Sequence, residues 1–402
     1  MKIYIVGVGV KSHTTNRAIE IINSSDVLIG AKRVLKVFEN NNAKRVEAYK
    51  LPDIQRVINN NPFADRISIL VSGDSGFFSA AASIIEGIDR DIEIIPGISS
   101  LSYFAARLSI PFEDIKVLSL HGRHGGVVGS VMENHRTFIL TDGENSPKVI
   151  CRSLYKRGFR NLLIYIGERL SYSNERIVID DIENVMNMDF DPLNVVIIEN
   201  PHPVNKDISL SGIGDEEFIR GNVPMTKCEV RRISVSKMKL NNDDIIYDIG
   251  AGTGSVAIEA ALSATYGRVY AIEKEDDAVG VLERNRLKFS AYNMKVVHGI
   301  APDCLEDLPC PDTVFIGGSC GRLESIIESV FYKNPYARIV VNAITLETIS
   351  EALNCFKKFP FNDVEITHVS IAKAKSVGEF NMMMGQNPVY IFSGEGDGTW
   401  QG

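Results

Sequence analysis

Short, nearly continuous runs of apolar residues recur along the chain, separated by helical-looking segments. In the first half the runs are IYIV at 3–6, ISILV at 67–71, LLIYI at 162–166 and VVII at 195–198. Runs of this length, alternating with helices, predict α/β architecture with largely parallel sheets. The alternation restarts near residue 244, where IIYDI at 245–249, RVYAIE at 268–273, MKVV at 294–297, DTVFI at 312–316 and ARIVV at 337–341 predict a second sheet. Between the two sets lies PHPVNKDISLSGIGDEEFIRGNVP at 201–224, whose prolines, glycines and polar residues break both periodicities. That break divides the chain into expected domains at 1–204 and 205–402. No fixed-period repeat runs through the sequence, so the halves are expected to be different folds rather than a duplication.

Length agrees with this division, because 402 residues suffice for two or three domains that each bury a core. The composition, 45% hydrophobic and 23% charged, is that of ordinary globular proteins. A balance of 43 Lys and Arg against 51 Asp and Glu, net −8, argues against nucleic acid as a partner. The six cysteines form no CxxC pair and are too sparse for a disulfide scaffold, so no metal site is expected. From Met1 the chain enters KIYIVGVGV without a signal-like basic and apolar region, and no run approaches the roughly 18 apolar residues of a membrane span. The expectation is a cytoplasmic enzyme with no membrane partner.

Candidate chemistry begins with YDIGAGTGSVAIEAA at 247–261. A predicted strand runs through Asp248 into a glycine turn, and Val256, Ile258, Ala260 and Ala261 then lead into a helix. Glycines let the backbone pass close to a ligand at the carboxyl edge of the sheet, where open α/β sheets bind. The spacing is GxGxG, not the GxGxxG of dinucleotide sites, whose helix N-terminus receives a pyrophosphate. A sulfonium nucleoside has no pyrophosphate to place. Nineteen residues beyond Gly254, Glu273 closes the next predicted strand, placed to accept hydrogen bonds from ribose hydroxyls.

The stretch IGDEEFIRGNVPMTKCEVRRISVSKMKL at 213–240, followed by DIGAGTG, by GIAPDCLEDLPCPDTVFIGGS at 299–319 and by VNAITLETI at 341–349, resembles the decarboxylating precorrin methyltransferases. The resemblance implies a Rossmann-like class I methyltransferase fold. In that family the threonine before the EVR segment, the glycine loop, the second-strand acid and the alanine before a proline contact the cofactor. These positions are Thr226, Gly250, Ala251, Gly252, Thr253, Gly254, Glu273 and Ala301 here.

The first half carries IVGVG at 5–9, DVLIGAKRVL at 26–35, LVSGDSGFFSAA at 70–81, IIPGISSLSYFAARL at 94–108 and LSLHGR at 118–123. These segments resemble the tetrapyrrole methylases, which implies the two-lobed class III methyltransferase fold. The family's cofactor touches the first glycine loop, the GD segment and the PGxSS helix start. Carried over, these become Gly9, Val10, Gly73, Asp74, Phe77, Ser99 and Ser100. Many members have Pro-Gly after the first loop, whereas Val10-Lys11 stands there in this chain.

In this order the two halves resemble the fused methyltransferases that act on precorrin-6B at meso carbons 5 and 15 in cobalamin (vitamin B12) biosynthesis. The resemblance implies one S-adenosylmethionine per domain, carbon 5 methylated by the first half, and carbon 15 by the second with loss of the ring C acetate carboxyl. It also implies a homo-oligomer. An electron-rich meso carbon can attack a sulfonium methyl directly, so the enzyme chiefly aligns reactants and excludes water. No catalytic triad is needed, and no catalytic residue is assigned. For the substrate's carboxylates the candidates are Arg123, in HGRHGG beside His121 and His124, and Arg231, in the basic run of Lys227, Arg232, Lys237 and Lys239. A methyltransferase for another small molecule or for RNA, or a non-catalytic module that senses the cofactor, stays open at this point.

Overall fold

A computed structural model describes residues 1–10, 13–120, 126–204 and 212–401. The chain separates into two compact units. One is Met1–His124, His135–Ser153 and Asn161–Asn200; the other is Pro201–Gly402 with Gly125–Asn134 and Leu154–Arg160.

The first unit contains two sheets. Strands β1 (Lys2–Gly7), β2 (Val27–Gly30), β3 (Lys44–Glu47), β4 (Arg66–Val71) and β5 (Ile92–Ile95) form a sheet in the order β3-β2-β4-β1-β5. All its pairings are parallel. The apolar run of β1 serves both faces: Ile3 and Ile5 join one core cluster with Ile29, Ile67 and Ile69, while Tyr4 and Val6 join another with Leu28 and Leu70. A strand buried on both sides has this near-continuous apolar sequence because successive side chains point to opposite faces.

The second sheet of this unit comprises β6 (Ile115–Ser119), β7 (Arg136–Leu140), β8 (Leu163–Glu168), β9 (Arg176–Asp181) and β10 (Asn194–Glu199), in the order β6-β7-β10-β8-β9. Only β6 and β7 run parallel; LLIYI and VVII, expected in a largely parallel sheet, pair antiparallel with Val196 opposite Ile166. A short apolar run reports burial and not direction, so the sequence is equally compatible with either pairing.

In the second unit, β11 (Ile245–Ile249), β12 (Arg268–Glu273), β13 (Met294–His298), β14 (Thr313–Ile316) and β15 (Arg338–Ala343) run parallel. Strand β16 (Phe361–Val369), a hairpin of β17 (Ala372–Val377) and β18 (Phe380–Gly385), and β19 (Val389–Gly396) complete the chain's strands among the described residues. The sheet order is β13-β12-β11-β14-β15-β19-β16, with the last two strands antiparallel to their neighbours. The polar stretch SGEGDGTWQG at 393–402 is partly built into the fold: Ser393–Gly396 belong to β19, and the Trp400 ring lies 5.0 Å from that of Phe359. Among the described residues, no helix is long and apolar enough to cross a membrane.

Candidate cofactor sites

In the first unit three loops converge at the carboxyl ends of β1, β4 and β5. Gly9 and Gly73 exchange backbone hydrogen bonds of 2.9 and 3.1 Å, which stitches the GVG loop to the SGDSG loop. Asp74 joins the third: Oδ1 accepts from Gly76 N at 2.8 Å and Oδ2 from Gly97 N at 2.9 Å. Such close approach demands glycine, since a Cβ at Gly7 would lie 2.7 Å from Gly97 N and 2.9 Å from Gly73 O. Ser99 caps the helix Ser100–Leu108, its Oγ accepting from Ser102 N at 3.0 Å.

Above these loops lies a cleft of about 320 Å³. Gly9, Val10, Gly73, Asp74, Phe77 and Ser100, six of the seven residues singled out in this half, line it; Ser99 holds the helix start beside it. A Cβ at Gly73 would meet only Ile98 O, at 4.0 Å, so this floor has room for a ligand. The opposite wall, which sequence reasoning missed, comes from the second sheet through Thr141, Gly167, Leu170 and Asn194. Thr141 Oγ1 is 2.9 Å from both Asn194 O and Asn194 Oδ1, which ties β7's end to β10's start. Arg123, with His121 and His124, lies outside the described residues.

In the second unit the glycine turn follows β11. Gly250 N and Ala251 N both donate to Ile272 O at 3.0 Å, and Gly252 N donates to Glu273 Oε2 at 2.8 Å. Glu273 Oε1 accepts from Lys274 N at 2.8 Å and from Glu275 N at 3.0 Å. A carboxylate has about four lone-pair sites, so roughly one remains for a ribose hydroxyl. Gly254 leads the helix Ser255–Ser263. Gly299 N donates to Glu273 O at 2.9 Å, which draws the 299–301 turn to the acid, and Ala301 packs in the core with Ile249 and Ile272. Thr226 is half-buried on a segment whose neighbour, Pro224 O, would stand 2.7 Å from a Cβ at Gly252.

Beneath the turn, Asp248 Oδ2 accepts from Ala257 N at 2.9 Å and anchors the following helix. Burial pushes its carboxyl up to about 7, against the Ala257 hydrogen bond and with some help from the charge of Glu273. Asp248 Oδ1 and Thr253 Oγ1 are buried without a hydrogen-bond partner among the described residues. Partnerless buried oxygens at a glycine turn, with an acid at the next strand end, fit a nucleoside ligand or ordered water held against the loop.

Arg231 does not face a substrate. It is fully buried in the helix Cys228–Met238, and its Nε donates to Glu259 Oε1 at 2.6 Å. Nη1 donates to Asp215 Oδ1 at 3.2 Å and to Thr226 O at 2.7 Å, while Nη2 donates to Ile213 O. With its fork consumed inside the protein, the guanidinium fastens the Thr226 segment to the helix that follows the glycine turn. The rest of the basic run is dispersed: Lys237 pairs with Glu365, and Arg232 is exposed.

Comparisons with known proteins divide the chain in the same way as its glycine loops. Residues 2–185 match the Tetrapyrrole (Corrin/Porphyrin) Methylases and residues 217–395 the Precorrin methyltransferase domain. A probable cobalt-precorrin-6B C(15)-methyltransferase (decarboxylating) from Saccharolobus solfataricus is 40% identical over 191 residues, covering 46% of this chain and 96% of the relative. A precorrin-6Y C(5,15)-methyltransferase [decarboxylating] from Sinorhizobium is 29% identical over 318 residues, 78% of this chain and 76% of the relative. A crystal structure of precorrin-6y C5,15-methyltransferase from Geobacter metallireducens is 41% identical, with a TM-score of 0.44 over 46% of this chain and 96% of that one. The chain therefore belongs to the decarboxylating precorrin methyltransferases, with a tetrapyrrole methylase half ahead of the precorrin methyltransferase half.

Proposed function

We propose that this chain methylates a precorrin at meso carbons 5 and 15 in cobalamin biosynthesis, the first half serving carbon 5 and the second carbon 15 with loss of the ring C acetate carboxyl. The observation that carries the reading is a pair of unlike glycine-floored cradles, each at the carboxyl edge of its own parallel strands. When bound, S-adenosylmethionine supplies an electrophilic methyl group to each half. Gly9, Val10, Gly73, Asp74, Phe77, Ser99 and Ser100 form the first cofactor wall, and Thr226, Gly250, Ala251, Gly252, Thr253, Gly254, Glu273 and Ala301 the second. A half-length relative bears the carbon 15 and decarboxylating names alone, which supports the division of labour. The reading includes a domain boundary at 204/205 and a cytoplasmic homo-oligomer. Titration with the demethylated cofactor is expected to give two equivalents per chain; a stoichiometry of one excludes a cofactor in each half.

Carboxyl loss tests the chemistry. Expelling carbon dioxide from an acetate arm leaves an electron pair that needs an acceptor, often provided by an enzyme's cofactor. Once the neighbouring meso carbon carries its new methyl, the adjoining conjugated nitrogen is iminium-like and takes up that pair, so the substrate is its own sink. The chain need only hold the acetate against the ring and keep water out. With precorrin-6B and a methyl donor, about one carbon dioxide is expected per carbon 15 methylated. None is expected with the demethylated cofactor alone, and release under that condition overturns the order.

A further inference from the structure

The first cleft has a side that its cofactor residues do not account for. Arg33, in the GAKRVL segment, is its one basic lining residue among the described residues. Asp74, the one acidic lining residue among the described residues, accepts from Gly76 N and Gly97 N, which ties it to the neighbouring loops. Arg33 is exposed, and among the described residues Nη2 reaches only Ser72 Oγ, at a long 3.4 Å. No carboxylate pairs with it among the described residues. Phe78 lines the same cleft with φ of 48°, in the left-handed region that a bulky residue rarely occupies. Its neighbour Phe77 turns into the core towards Phe138, yet the Phe78 ring is left 55% exposed. Phe78 meets Phe77 edge to face at 5.3 Å, but its strained backbone still leaves more than half of the residue exposed in the cleft, and a flat ligand covering the ring recovers apolar burial.

We propose that Arg33 and Phe78 are the substrate-positioning residues of the first half: Phe78 lies against the tetrapyrrole macrocycle, and the Arg33 guanidinium takes one of its acetate or propionate carboxylates. The inference rests on the carbon 5 reading of this half. An arginine fork matches a carboxylate in charge and geometry, and an aromatic face matches a conjugated ring. The pairing therefore selects a flat molecule with anionic edges.

The test uses the full chain with precorrin-6B and a methyl-labelled donor, carbon 5 and carbon 15 products being resolved by NMR. Arg33→Gln and Phe78→Asn are the variants, asparagine being a residue that tolerates left-handed backbone. Each is expected to raise KM for the tetrapyrrole at carbon 5 roughly ten-fold or more, with kcat within about two-fold. Arg33→Lys should recover part of the loss, and affinity for the demethylated cofactor and the carbon 15 rate should stay at wild-type values. An unchanged KM in both variants overturns the proposal, as does a KM rise matched by equally weakened cofactor binding. Absence of carbon 5 transfer by the wild-type chain overturns the reading beneath it, a failure visible before any variant is made.

Discussion

A chain carrying Gly252→Val is expected to lose cofactor binding and carbon 15 methylation in its second half while the first half keeps its own. Gly252 has φ of 54°, where an L side chain is strained, and a Cβ there would stand 2.7 Å from Pro224 O. That neighbour is backbone and cannot swing aside as a flexible side chain would. Valine adds two methyls at Cβ and confines χ1, so it has fewer ways to relieve the clash than alanine. Any outward shift of the loop also breaks the 2.8 Å hydrogen bond from Gly252 N to Glu273 Oε2, which sets the acid proposed for the ribose. Displacement of about 1 Å at such a site is enough to cost roughly 100-fold in rate. Calorimetry should therefore fall from two cofactor equivalents to one, with carbon 15 transfer down at least about 100-fold and carbon 5 transfer unchanged. Gly221→Ala is the matched control, since Gly221 also has positive φ, 59°, but has nothing within 4 Å of an added Cβ. Wild-type affinity at both sites in a folded Gly252→Val chain would remove the second cradle from this turn.

That prediction draws on what was legible in the sequence. Strands β11 and β12 coincide with IIYDI and RVYAIE, and the glycine turn, helix and Glu273 follow in the order read. Backbone-built cradles are written locally, in glycines and strand ends, so a linear motif carries them. The wall formed by Thr141, Gly167 and Asn194 was not legible, because it reaches the GVG loop only through the packing of a second sheet whose strand directions short apolar runs do not encode. Arg231 failed differently. Its charge suggested an anionic ligand, but its partners Asp215 and Glu259 lie 16 and 28 residues away, and only the tertiary fold brings them in. One signal was present: Glu259 stands in VAIEAAL, a helix otherwise apolar, and a buried acid there calls for a cation. Trp400 was a similar signal in the polar stretch at 393–402, since an aromatic side chain of that size is a poor candidate for solvent.

The buried position of Arg231 leads to the second large effect: Arg231→Met should destabilise the second unit by roughly 3–5 kcal/mol, the usual penalty for breaking a buried ion pair from one side. Glu259 is 2% exposed and would keep only the 3.0 Å hydrogen bond from Ile213 N. Asp215 is better placed, with some solvent access and Lys227 Nζ at 3.8 Å, so most of the penalty falls on Glu259. Adding Glu259→Leu removes the stranded charge and should restore a large share of the loss, because a buried pair replaced as a whole by apolar side chains is often close to neutral. Trp400 is the chain's one tryptophan and packs on Phe359, so its fluorescence follows the unfolding of this unit in urea. The single variant should also weaken cofactor binding in the second half, since Thr226 O loses its 2.7 Å hydrogen bond to Nη1 and the segment beside Gly252 is freed. An arginine whose task was to bind substrate carboxylate would behave in the opposite way. Its loss would raise KM for the precorrin at carbon 15 and leave the urea midpoint where it was, and that result would return Arg231 to the substrate surface.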